Sequence, residues 1–151
     1  MHEQLYVANS AEQLRLRPYV MQLVENLCHL HKDQSGQVKL KIEIEDLDLG
    51  AETAVPLGLI LNEFTTNSLK YAFDGGGGVI TVSVEAMERG ALRVHICDDG
   101  KGLPKDPPSH RPGSGTGMKL IEGLAGQIGA IPRWSTAEER GTTLCLVFTP
   151  R

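Results

Sequence analysis

A chain of 151 residues, 40% apolar and 23% charged, is long enough for one domain with a real core and too short for a two-domain enzyme. Its 19 acids against 15 bases leave a net charge of −4, so no global basic field exists to hold DNA, RNA or an anionic membrane. Three Phe, three Tyr and one Trp are also too few for the stacking platforms of single-strand binders. The conspicuous excess is glycine, 17 residues against an average usage of about 7%, gathered at 75–78 and 100–117. Cys28, Cys97 and Cys145 are odd in number and set in apolar runs, and read as reduced core residues of a cytosolic protein. No apolar run approaches the roughly 18 residues of a membrane span, and the first residues lack the regions of a signal peptide. The expectation is a cytoplasmic chain with no membrane contact and no nucleic acid.

In chain order, Leu14, Leu16, Val20, Leu23, Val24, Leu27 and Leu30 recur at three- and four-residue steps, which predicts an amphipathic helix over 13–31 with Pro18 in its first turn. Residues 38–45 alternate strictly, with Val38, Leu40, Ile42 and Ile44 inward, as expected of a half-exposed strand. A second helix is predicted from about 51 to 73, closed by Asp74 and the tetraglycine. Alternating runs at 79–85 and 92–97, joined near Arg89 and Gly90, predict a hairpin. Residues 99–115 hold four of the eight prolines and little that is apolar, so they read as a long loop of the kind that serves as a lid. A third helix over 116–128 and strands over 130–135 and 142–149 complete the chain. Because the strands bury one face only, the expected architecture is an α/β (α+β) two-layer sandwich, about three helices over a mixed, mostly antiparallel sheet of about five strands.

Three groups of residues carry chemistry. On the second helix Glu63, Asn67 and Lys70 fall on one stripe beside an apolar arc of Leu57, Leu61, Phe64 and Ala72. A carboxylate, an amide oxygen and an ammonium suit a hard cation and phosphates; a merely solvated helix face is the alternative. The strand over 92–97 runs into Asp98, Gly100 and Gly102, where a carboxylate can accept from an exocyclic amine and glycines let the backbone pass a planar ring; a plain Asx turn is the competing reading. Gly113, Gly115 and Gly117 open the third helix, so unobstructed N–H groups sit at a positive helix end, a ready phosphate cradle. Neither the P-loop nor the Rossmann glycine pattern is met. The five histidines form no zinc pattern, and no serine stands in a hydrolase elbow.

Taken in this order, these groups resemble the ATP-binding catalytic domain of bacterial sensor histidine kinases. That domain belongs to the Bergerat-fold superfamily, with DNA gyrase, the heat-shock chaperone ATPase and anti-sigma serine kinases. Leu61-Asn62-Glu63 with Asn67-Ser68 and Lys70-Tyr71 is similar to the N box. Asp98, Gly100 and Gly102 resemble the first glycine box, Gly113, Gly115, Gly117 and Met118 the second, and Gly141-Thr142-Thr143-Leu144 with Phe148 the closing strand. The run from Pro56 to Glu63 followed by Lys70-Tyr71-Ala72-Phe73 is similar to a subfamily of soluble, light- and stress-sensing kinases of alphaproteobacteria. The segment His2 to Tyr6 looks like the place where that subfamily's dimerisation domain ends.

The resemblance implies an ATP-binding catalytic domain over 11–151, with 1–10 the tail of a dimerisation and phosphoacceptor region. It implies Mg²⁺ on Asn67, phosphates on Lys70, the adenine amino group on Asp98 and the ring flanked by Tyr71. Gly100, Gly102, Gly113, Gly115, Gly117 and Thr142 would line the nucleotide pocket and lid hinges. Glu63 stands where most histidine kinases carry Asn, and is either a catalytic base or a further group around the metal. The implied activity is transfer of the ATP γ-phosphoryl to a histidine on a separate dimerisation domain, with a response regulator downstream. A serine kinase or ATPase of the anti-sigma kind, and a domain that binds nucleotide without catalysis, are the alternatives.

Overall fold

Strict alternation fixes which face of each strand is buried, and the computed structural model follows it. It describes residues 13–30, 38–72, 77–100, 114–137 and 140–150. The elements are β1 (Gln13–Arg15), α1 (Leu16–Leu30), β2 (Val38–Ile44), β3 (Asp48–Gly50), α2 (Ala51–Asn67), β4 (Gly78–Ala86), β5 (Leu92–Asp98), α3 (Ser114–Gln127), β6 (Arg133–Ala137) and β7 (Arg140–Phe148). A π turn, Ser68–Ala72, continues α2.

Five strands form one sheet in the order β2-β4-β5-β7-β6. Among the described residues only β2 and β4 pair in parallel; β4–β5, β5–β7 and β6–β7 are antiparallel. The three described helices supply the apolar layer that the sheet needs on its inner face. Leu16, Val20 and Val24 of α1, Leu57, Ile60, Leu61 and Phe64 of α2, and Ile121, Leu124 and Ala125 of α3 meet Val82, Val84, Val94, Ile96, Leu144 and Leu146 in one cluster. Each of the larger side chains contributes about 1.5–3 kcal/mol by leaving water. Phe64 stacks on Trp134, with ring centroids 6.2 Å apart, which ties α2 to the edge strand β6. Among the described residues the fold is therefore the expected mixed two-layer sandwich.

Four local expectations change. Residues 13–15 are strand rather than helix, because they pair antiparallel with β3 and Leu16 N–H then donates to Leu47 O at 2.9 Å, so the helix starts at Leu16 with Pro18 in its first turn. The second helix gives way to the π turn after Asn67 instead of running on to 73. At the end of α3, Ala130 N–H donates back to Ala125 O and Gly129 takes φ 79°, a left-handed closure that postpones β6 to Arg133. The three cysteines are thiols, but none is fully buried: Cys97 and Cys145 alternate with the buried Ile96 and Leu144 and lie on the outer face of the sheet. The hairpin turn is as expected, with Arg89 at φ 61° and Gly90 at φ 76°.

This register positions the site. Leu92, Val94 and Ile96 of β5 point inward, and two residues on the same parity brings Asp98 to the inner face at the end of the strand.

Candidate functional site

A carboxylate at a core position must be compensated, and Asp98, 7% exposed, is. Its Oδ1 accepts from Gly100 N–H at 3.0 Å and from Thr142 N–H at 3.3 Å, and its Oδ2 accepts from the Ser68 hydroxyl at 2.7 Å. The donors come from three places: the turn after β5, the start of β7 and the π turn after α2. Asp99 faces the other way and secures the corner. Its Oδ1 accepts from Val79 N–H at 2.8 Å, and its own N–H donates to Val79 O at 3.2 Å.

Gly141 closes the same corner. It adopts φ 76°, its N–H donates to Gly100 O at 2.7 Å, and its Cα lies so close to the Asp98 carbonyl that no side chain fits. The sequence placed Gly141 only in a closing-strand motif, and did not show that its backbone is what holds Gly100 and Thr142 against the carboxylate.

The second centre lies between α2 and α3. Glu63 and Asn67 are one turn apart and half-buried, and Gly117 of α3 is buried against them. A methyl group at Gly117 would lie 2.8 Å from Glu63 Oε1 and 2.8 Å from Asn67 Nδ2. Both side chains therefore converge on the first turn of α3. Its leading N–H groups have no partner within the helix and carry the positive end of the dipole. Oxygen-bearing side chains next to unobstructed backbone donors suit a hard divalent cation held partly by phosphates and water, since Mg²⁺ needs only one or two protein ligands of this kind.

The structure thus brings Glu63, Asn67 and Gly117 into one cluster and Asp98, Gly100 and Thr142 into another, with Ser68, next to Asn67 in sequence, bonding the second. Lys70 is exposed in the π turn, whose wider spacing breaks the stripe assumed from a regular helix. Tyr71 lies in the same turn and Gly115 in the first turn of α3. Gly102 and Gly113 lie outside the described residues. Ser68 was overlooked as a site residue, although a signal existed. At 100° per residue it falls between Leu61 and Phe64, so a hydroxyl stands on the buried arc and must bond something there.

Residues 52–151 match the sequence model of the family described as histidine kinase-, DNA gyrase B-, and HSP90-like ATPase. Over 102 residues the chain is 34% identical to blue-light-activated histidine kinase 2 of Erythrobacter litoralis (strain HTCC2594), a match that takes in 65% of this chain and 30% of that protein. The chain thus spans less than a third of that relative's length. Among solved structures, the histidine kinase domain from the Erythrobacter litoralis EL346 blue-light activated histidine kinase superposes with a TM-score of 0.80 at 24% identity, over 97% of this chain and 67% of that one. The mycobacterial sensor histidine kinase MprB does so at 0.69 and 19% identity, over 93% and 99%. These two likenesses are of fold.

Proposed function

Because the chain belongs to the family of histidine kinase-, DNA gyrase B- and HSP90-like ATPases, and so carries an ATP-binding catalytic domain, we propose that it transfers the ATP γ-phosphoryl to a histidine of a dimerisation and phosphoacceptor domain. The observation that carries the nucleotide reading is Asp98. A carboxylate offers about four lone-pair sites; protein donors fill two at Oδ1 and one at Oδ2, which leaves one acceptor site for an amine such as that of adenine.

The phosphates then extend toward the first turn of α3, where backbone N–H groups and the exposed Lys70 balance their charge. Gly100, Gly115, Gly117 and Thr142 line the pocket. Asn67, with Glu63 beside it, would hold Mg²⁺, which when bound neutralises charge on the β- and γ-phosphates. The protein's own contribution is positioning and fixed dipoles, with little covalent chemistry. Glu63 orients the acceptor imidazole or a water. The acceptor domain is the necessary partner and a response regulator the next recipient. No described helix is long and apolar enough to cross a membrane, and a cytoplasmic location fits an ATP-dependent reaction.

The test is to incubate the chain with Mg²⁺, labelled ATP and an isolated dimerisation domain of a related kinase. Acid-labile phosphohistidine is expected, and Asp98→Asn should abolish both labelling and ATP binding. Acid-stable phosphoserine on a partner would favour an anti-sigma type of kinase. ATP binding with no transfer under any pairing would leave a nucleotide-binding domain, and undiminished binding by Asp98→Asn would remove the pocket assignment.

A further inference from the structure

The Ser68 hydroxyl has one proton and gives it to Asp98 Oδ2 at 2.7 Å. Both residues are buried, at 4% and 7% exposure, so this bond is not diluted by water. With that proton committed, the remaining capacity of the pair is acceptor only: one lone pair on Oδ2 and those of the serine oxygen. We propose that Ser68 is the positioning residue that makes this corner selective for a 6-amino over a 6-oxo purine. The inference rests on the nucleotide reading above and adds to it the discrimination between bases.

The chemistry follows from donor and acceptor counting. The 6-amino group of adenine brings hydrogens to an acceptor-only corner. Hypoxanthine differs at that edge in carrying a 6-oxo group and a proton on N1, so it brings a lone pair toward two oxygens. A site built of fixed acceptors rejects such a ligand because the buried groups then face each other unpaired. Without the serine proton, Asp98 is fixed only through Oδ1, by Gly100 and Thr142. The carboxylate can then turn its second oxygen away from an incoming carbonyl, and a water can enter the space of the lost hydroxyl and donate to it. Ser68→Ala therefore relaxes the selection more than it weakens the binding of ATP. The serine follows directly on Asn67, on the same buried arc as Leu61 and Phe64, and the π turn that opens with it carries the next buried side chain, Leu69, to a separate cluster with Ile80.

The experiment titrates ATP and inosine triphosphate, both with Mg²⁺, into the 151-residue chain and into its Ser68→Ala and Ser68→Cys variants, with thermal melts of each. The readout is the ratio of the two dissociation constants. The native chain should prefer ATP strongly, and Ser68→Ala should lower that preference about tenfold. Ser68→Cys, which keeps the shape and a weak donor, should fall between them and serves as the reading if the alanine variant does not fold. A purely structural role for Ser68 would lower the melting temperature and leave the ratio unchanged; that result overturns the proposal while ATP binding itself stands. A native chain that binds neither nucleotide overturns the nucleotide reading as well.

Discussion

Gly117→Ala separates stability from chemistry at this site. The added methyl would lie 2.8 Å from Glu63 Oε1 and Asn67 Nδ2, and ordinary contact needs about 3.5 Å, so each tip must retreat by roughly 0.7 Å. The atoms that must move are the ends of flexible, half-buried side chains rather than backbone. Pushing a side chain about 30° off its rotamer costs on the order of 0.5–1.5 kcal/mol. Against this, alanine is better than glycine in a helix by up to about 1 kcal/mol. The two contributions offset, and stability should stay within about 1 kcal/mol of native, a shift of only a few degrees in Tm for a domain of this size.

The consequence for function is larger, because the two displaced groups are those proposed to hold the metal and orient the acceptor. Misplacement on the order of 1 Å costs about a hundredfold in rate. The assay is a thermal melt beside Mg-ATP titration and phosphotransfer to a dimerisation domain. Gly123→Ala is the control, since nothing lies within 4 Å of the methyl it would add, and it should raise Tm slightly and leave transfer intact. A Gly117→Ala protein as active as the native one would refute the assignment of Glu63 and Asn67 to the reaction centre. An unfolded one would show that the contact is structural.

Gly141→Ala should behave in the opposite way. Its φ of 76° is strained for any side chain, and the methyl would meet the backbone of Asp98 and Asp99, which cannot yield cheaply. A loss of about 3 kcal/mol or more is expected by chemical denaturation, together with loss of ATP affinity as Gly100 and Thr142 shift. Glu63→Gln should slow phosphotransfer more than it weakens ATP binding; equal losses in both would count against a role in the chemical step. Tyr19 is half-buried over Gly58, and burial raises the pKa of its phenol. The folded state thus favours the neutral form. The resulting stability is complete below the ordinary tyrosine pKa of about 10 and is lost as pH rises through the folded value. Urea midpoints between pH 9 and 11 should fall less steeply for Tyr19→Phe.

The sheet and helices were legible because each buries a single face, and single-faced burial writes itself into the sequence with a period of 2.0 or 3.6. Val82, Val84, Val94 and Ile96 reveal their register in that way. The pairing of β1 with β3 did not show, since elements of three residues carry no period and Leu14 fits a helix as well as a strand. The π turn left no trace either. It adds an extra residue to the turn without changing composition, and the stripe drawn through Glu63, Asn67 and Lys70 breaks there. Gly117 was visible as a cradle glycine, but not as the point where α3 meets Glu63 and Asn67, because contact between helices distant in sequence is a property of packing and not of either segment alone.

What unites the residues of the site is that each interrupts a pattern at the place where the pattern should continue. Asp98 occupies the inward position after Leu92, Val94 and Ile96, and Ser68 stands on the arc of Leu57, Leu61 and Phe64. In an apolar layer either polar group alone would cost a few kcal/mol. Bonded to each other and to the N–H groups of Gly100 and Thr142, they become tolerable and fix one another's orientation. The two patterns break at the same end of the molecule because α2 and β5 both end there. A site built from the last residues of core elements inherits their rigidity, as preorganised recognition of a base requires. Glycines supply the rest: the missing side chains let α3 approach Glu63 and Asn67 at Gly117, and let β7 approach the Asp98 backbone at Gly141.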